Sequence, residues 1–155
     1  MNNKRILLVD DVGSMRSVIK AFLHEGGYNL VDEAVDGLHA YERLDRRIYA
    51  LVICDLEMPK LNGTQLLEKI RNTPKMRHIQ FIMVTSHNEL SEIKKAINAG
   101  VNDYIAKPFQ PWKLIKKVKN CLAARSEGIE RENAKKQYTE LAVDEVVIEV
   151  EVELE

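Results

Sequence analysis

At 155 residues, 45% hydrophobic and 30% charged, the chain has the size and balance of one globular domain rather than of a disordered or fibrous protein. Its apolar runs, such as residues 6–9, are far shorter than a membrane span, and Lys4 and Arg5 lead into a strand-sized stretch, not a signal peptide. The net charge of −1 hides an asymmetry: six of the 24 acids lie in residues 144–155, which hold no base, leaving 18 acids against 23 bases before them. That excess is spread over several segments and gives no sign of direct nucleic-acid binding.

Short apolar runs alternate with segments of helical period from residue 4 to about residue 124. Residues 4–9 read as a buried strand. Residues 14–24 place Met15, Val18, Ile19, Phe22 and Leu23 on one face, the spacing of a helix, and Gly26-Gly27 ends it. Residues 30–34 form a weaker strand, and 38–46 a short helix after Asp36-Gly37. The strand over 50–54 runs straight into Asp55, and a loop with Pro59 and Gly63 leads to a helix over 64–71. Residues 79–84 give a fourth strand. Asn88 is placed to cap a helix whose Leu90, Ile93 and Ile97 face inward, and Gly100 stops it. After a brief fifth strand over 103–106 and Lys107-Pro108, a last helix starts near Pro111. It is expected to bury Trp112, Ile115, Val118 and Leu122 and to leave Lys113, Lys116, Lys117 and Lys119 solvated.

Five strand–helix units in succession imply an α/β fold, a parallel sheet with helices on both faces, because right-handed crossovers place them there. Such sheets bind ligands beyond the C-terminal strand ends, near the point where the strand order reverses. The groups delivered to those ends are Asp10-Asp11, Asp55, Thr85-Ser86 and Lys107-Pro108. Taken singly, an Asp after a strand is often a turn former or helix cap. Taken together, three carboxylates in one cleft repel one another and call for a hard divalent cation with oxygen ligands, for which Mg²⁺ is suited. With a lysine and a hydroxyl added, the set fits phosphoryl transfer: Asp55 as nucleophile, Asp10, Asp11 and the backbone carbonyl of Glu57 as metal holders.

Asp10-Asp11, the run Asp55-Leu-Glu-Met-Pro-Lys-Leu-Asn-Gly63, Val84-Thr85-Ser86 and Tyr104-Ile-Ala-Lys107-Pro108-Phe109 resemble the receiver domains of two-component response regulators. The spacing is especially close to the single-domain chemotaxis type. The resemblance covers about residues 4 to 124 and implies a doubly wound, flavodoxin-like five-stranded sheet of order 2-1-3-4-5. It implies Asp55 as phosphoacceptor from a histidine kinase, with Mg²⁺ on Asp10, Asp11, Asp55 and the Glu57 carbonyl. It also implies Thr85 and Tyr104 as switch residues, Lys107 as the cation for phosphoryl oxygens, and a cis Lys107-Pro108 bond. Ser86 would leave room for phosphate, and the side chain of Glu57 would affect phosphate lifetime. A protein target would dock on the face of the fourth helix, fifth strand and fifth helix. The family is a signalling one, self-catalysing its phosphotransfer and dephosphorylation, rather than one of enzymes acting on separate substrates. Two other functions stay open: a haloacid-dehalogenase-like phosphatase, against which Glu57 stands where a second Asp is needed, and a receiver-like interaction module that takes no phosphate.

Cys54 and Cys121 share no metal or redox spacing and read as reduced core residues, which fits a cytoplasmic protein. The four histidines show no metal spacing either; His87 is placed near the cleft, as a solvated loop residue. Residues 1–124 are taken as the receiver-like domain and 125–155 as an extension. In that extension a charged, weakly helical stretch precedes a strict alternation of Val146, Ile148, Val150, Val152 and Leu154 with Val147 and four glutamates. Such a strand must find a partner. It adds to the domain's own sheet edge, pairs with another chain as a homodimer, or begins an output domain; a disordered acidic tail is the remaining option.

Overall fold

The computed structural model describes residues 4–86 and 90–123. Ten elements alternate: β1 (Ile6–Val9), α1 (Gly13–Glu25), β2 (Val31–Ala34), α2 (Gly37–Arg46), β3 (Leu51–Asp55), α3 (Gly63–Arg71), β4 (Gln80–Thr85), α4 (Leu90–Ala99), β5 (Asp103–Ala106) and α5 (Pro111–Leu122). All strands are parallel, in the order β2-β1-β3-β4-β5. The parallel sheet expected from the strand–helix alternation, and the order that the resemblance implied, are therefore those observed. No helix of the described residues is long and apolar enough to cross a membrane.

The strands are apolar on both sides because both sides are covered. Period-two alternation sends Leu7, Val9, Val52, Cys54, Phe81 and Met83 into one core with Ala40, Leu44, Leu66, Leu67, Ile70, Ile93 and Ala96 of α2, α3 and α4. Their neighbours Ile6, Leu8, Leu51, Ile53, Ile82 and Val84 enter a second core with Ile19 and Leu23 of α1 and Leu114 and Val118 of α5. Cys54 and Cys121 are buried and free, as expected.

Local chemistry fixes the element ends. Asp36 caps α2 by accepting from the His39 amide. Asn62 and Gln65 form a reciprocal capping box at α3, a signature present in the sequence as Asn-x-x-Gln. Gly27 turns the chain after α1 at φ +91°, where a side chain would be strained. At the end of α3, Arg71 holds four acceptors at once. Its guanidinium donates to the carbonyls of Arg77, Ile79 and Gly100 and to Oδ1 of Asn102, which in turn accepts from the amide of Phe81.

Three expectations are corrected. Trp112 is 65% exposed, because the inward stripe of α5 is Leu114, Val118 and Cys121, with Ile115 and Leu122 on its flank. Trp112 lies two residues before Leu114, about 200° around a helix from the stripe. Val18 is half exposed for a related reason: Ile19 and Leu23 take the centre of the α1 face and Met15 and Phe22 its margins. Lys117 is not a solvated lysine. Its ammonium meets Asp103 at 2.9 Å and lies 5.5 Å from the Tyr104 ring centroid. Expected boundaries otherwise differ by a residue or two at element ends. Asn88, His87 and the extension lie outside the described residues.

Gly63 opens α3 directly beneath the end of β3. A Cβ there would stand 2.7 Å from the Asp55 carbonyl oxygen, 3.0 Å from the Leu56 Cα and 2.6 Å from Met83 Sδ. Two of these neighbours are backbone and cannot yield cheaply. Gly63→Ala is therefore expected to cost about 1–3 kcal/mol in a denaturant titration; an unchanged midpoint would show that the β3–α3 turn has slack.

Candidate functional site

The register of β1 against β3 pairs Val9 with Cys54, so the next residue on each strand, Asp10 and Asp55, emerges side by side. The carboxylates of Asp10, Asp11 and Asp55 each offer an oxygen, all within 4.8 Å of one another. Asp10 and Asp55 are buried, at 1% and 6% exposure, while Asp11 faces solvent. Asp10 is held from several directions. Its Oδ1 accepts from the Val12 amide at 2.9 Å, and its carbonyl accepts from Arg16, which also meets Glu33 at 3.0 Å. Arg16 is a supporting residue that the sequence reading missed, since nothing in its spacing ties it to β1 and β2 together.

The other wall comes from β4 and β5. The Lys107 amide donates to the Thr85 carbonyl at 2.7 Å, locking the two strand ends. Lys107 Nζ then reaches Asp55 Oδ1 at 3.1 Å. The Lys107–Pro108 bond is cis, as the resemblance implied. Thr85 is buried, and its hydroxyl donates to the Ser86 carbonyl at 3.3 Å. Glu57 is exposed, two residues past Asp55. Tyr104 is buried and sits in the core shared with α2, α3 and α4; its amide donates to Asp103, the residue that Lys117 pairs. The structure thus brings Asp10, Asp11, Asp55 and Lys107 into one cleft at the strand ends. Thr85 stands on its wall, and Tyr104 lies on the neighbouring strand.

Burial pushes the Asp55 carboxyl above the ordinary carboxylate range; Lys107 opposes this, and the charges of Asp10 and Asp11 add to it. Burial, with the same acids, also pushes the adjacent Cys54 thiol far up, so it stays a protonated core group. One lysine against three carboxylates leaves the cluster short of positive charge. An oxygen-only donor set of this kind fits a hard divalent cation.

The chain and its fold have matches among known proteins. The response regulator receiver domain model matches residues 6–119. The chain belongs to that family, whose members are phosphorylation-activated signalling modules of two-component systems. It is 40% identical over 119 residues to chemotaxis protein CheY1 of Helicobacter pylori, covering 76% of this chain and 96% of that protein. It is 39% identical over 107 residues to chemotaxis protein CheY-3 of Vibrio cholerae, covering 69% and 82%. Among solved structures it resembles the receiver domain of a Pseudomonas aeruginosa sensor histidine kinase, which has a magnesium ion coordinated in its active-site cleft. That pair has TM-score 0.72 and 29% identity, covering 79% of this chain and all of the other. The receiver domain of NtrX from Brucella abortus matches with TM-score 0.72 and 27% identity, covering 77% and 99%. The phosphatase and phosphate-free alternatives are not favoured by these likenesses.

The clustered charge has a measurable cost. A carboxyl whose folded value is raised still holds its proton where the unfolded chain has released it. Metal-free stability therefore falls as pH rises from the ordinary carboxylate range through the raised value. Asp55→Asn removes that loss. At neutral pH without divalent metal it is expected to melt about 3–6 °C above the unsubstituted protein. Millimolar Mg²⁺ should narrow the gap by stabilising the unsubstituted protein more. A lower melting point for the metal-free variant would mean that the Lys107 pair outweighs the repulsion.

Proposed function

We propose that Asp55 is the phosphoacceptor of this receiver and that the geometry of its cleft makes the transfer possible. The observation that carries this reading is the meeting of Asp55 with Lys107 at 3.1 Å inside a cluster of three carboxylates. A carboxylate oxygen of Asp55 attacks phosphorus on the phosphohistidine of a histidine kinase. The oxygen–phosphorus bond forms as the nitrogen–phosphorus bond breaks, and the imidazole leaves with that electron pair and takes a proton from solvent. Lys107 is placed to neutralise a phosphoryl oxygen, and the burial of Asp55 limits competing water. Asp10, Asp11, Asp55 and the Glu57 carbonyl would hold Mg²⁺, which supplies positive charge to the transferring group when bound. Hydrolysis of the acyl phosphate by water in the same cleft would end the signal, with the exposed Glu57 setting its pace.

The output follows from charge. Phosphorylation adds acceptor oxygens beside Thr85, whose hydroxyl would turn from the Ser86 carbonyl toward them. Because Thr85 and Lys107 are joined through the backbone, the end of β4 would move against β5. Tyr104, packed under Lys117, couples that movement to the face of α4, β5 and α5, where a protein target would bind. The relatives named for chemotaxis suggest a flagellar or kinase-linked target and a cytoplasmic setting. Residues 1–124 would form the receiver and 125–155 the extension, with neither nucleic acid nor membrane as a direct partner.

Intact-mass spectrometry with Mg²⁺ and acetyl phosphate tests the chemistry. The chain should gain one labile phosphoryl group, lost without Mg²⁺ and absent from Asp55→Asn. An adduct that persists in Asp55→Asn would place the acceptor elsewhere. Thr85→Ala should still take phosphate yet lose at least about tenfold of any phosphorylation-dependent gain in target binding, an ordinary allosteric coupling of about 1.4 kcal/mol; full retention would remove Thr85 from the switch.

A further inference from the structure

The end of the sheet opposite the phosphoacceptor cleft carries a groove that this function does not use. Two adjoining hollows of about 340 Å³ each meet at Arg46, Arg47 and Tyr49, where α2 gives way to β3. The floor is apolar, formed by Leu44 and Ile79, and Ile48 stands out at its edge: at 93% it is the most exposed large hydrophobic among the described residues. The rim is basic. Arg43, which also donates to His39, and Arg46 line it together with Glu42, and Arg46 has no salt-bridge partner among the described residues. Arg47 shares Asp32 with Arg5 and with the Tyr49 hydroxyl, and Lys75 is paired with Asp45. A groove with an apolar floor and a surplus of arginine suits an extended segment that alternates apolar and acidic residues.

Residues 146–155 of this chain have that pattern. Ile148, Val150, Val152 and Leu154 would fall on one side of an extended segment and Glu149, Glu151, Glu153 and Glu155 on the other. The path is short. All strands are parallel and each helix runs back between them, so α2 and α5 both finish at the N-terminal end of the sheet. Lys4 Nζ holds the Leu122 carbonyl there at 2.7 Å, and the next residue, Arg5, meets Asp32, the same acid that Arg47 meets. Residues 123–145 separate α5 from the alternating stretch. Even wholly helical, they would reach about 35 Å, enough to cross the end of the sheet.

We propose that residues 146–155 seat in this groove on their own chain, with the apolar side on Ile48, Leu44 and Ile79 and the glutamates toward Arg43 and Arg46. The proposal is independent of which residue takes phosphate, and the seated segment leaves the Asp55 cleft uncovered.

Engineered cysteines in the full chain test it. Ile48→Cys with Val150→Cys is compared under mild oxidation with Lys95→Cys and Val150→Cys, Lys95 being an exposed position on α4. Disulfides are read by non-reducing electrophoresis and peptide mass. The Ile48 pair should close within one chain about tenfold faster than the Lys95 pair, as expected for a raised local concentration. Adding Arg43→Glu and Arg46→Glu should slow it about fivefold, and Glu149→Lys with Glu151→Lys should then restore it. Circular dichroism confirms that each variant is folded. Equal rates for the two pairs, or indifference to the arginine reversals, overturn the proposal. So does a bridge that forms only between chains and scales with concentration, which would assign the segment to a second copy.

Discussion

The molecule is organised around a repulsion. Parallel pairing of β1 with β3 sets Asp10 beside Asp55, both almost wholly buried, and Asp11 adds a third carboxylate within 4.8 Å. A fold chosen for stability alone would not collect like charges at the end of an apolar sheet. It persists because everything around the cluster is over-determined: the Val12 amide and Arg16 fix Asp10, Gly63 packs against the backbone of Asp55, and Lys107 arrives on a strand end tied to Thr85. Stability is given up at the one place where chemistry needs charge without water.

The scaffold that tolerates this is plain by comparison. Two apolar cores, one on each side of the sheet, hold five strands whose residues alternate between them. Because each strand is covered on both faces, the sheet ends are where polar groups can gather. One end collects acids and a lysine; the other collects arginines and an exposed isoleucine. The division follows from topology, since every strand points the same way and every crossover helix returns.

Most of this was legible in the sequence. The apolar runs, the turn glycines and the polar residue after each run locate the strands and the end of the sheet where a cleft would lie, and the pairing of β1 with β3 then brings Asp10 to Asp55. What was not legible shares a cause: it depends on helix rotation and on contacts between distant segments. Trp112 looks like a core residue until Leu114, Val118 and Cys121 are seen to claim that face. Lys117 looks like one of four solvated lysines until β5 supplies Asp103 and Tyr104. Arg16 gives no hint that it spans β1 and β2. Asn62 and Gln65, by contrast, carry a pattern that the sequence does display.

Arg71 bears on how the protein breathes. One guanidinium gathers carbonyls from the approach to β4 and from the turn before β5, together with an asparagine that also accepts from the Phe81 amide of β4. Opening one of these groups loosens the hold on the others, since a single guanidinium serves all four. The half of the sheet proposed to shift on phosphorylation is therefore anchored at its far end by Arg71. Its amides should exchange as one cooperative unit, so that motion is hinged there rather than spread along the strands.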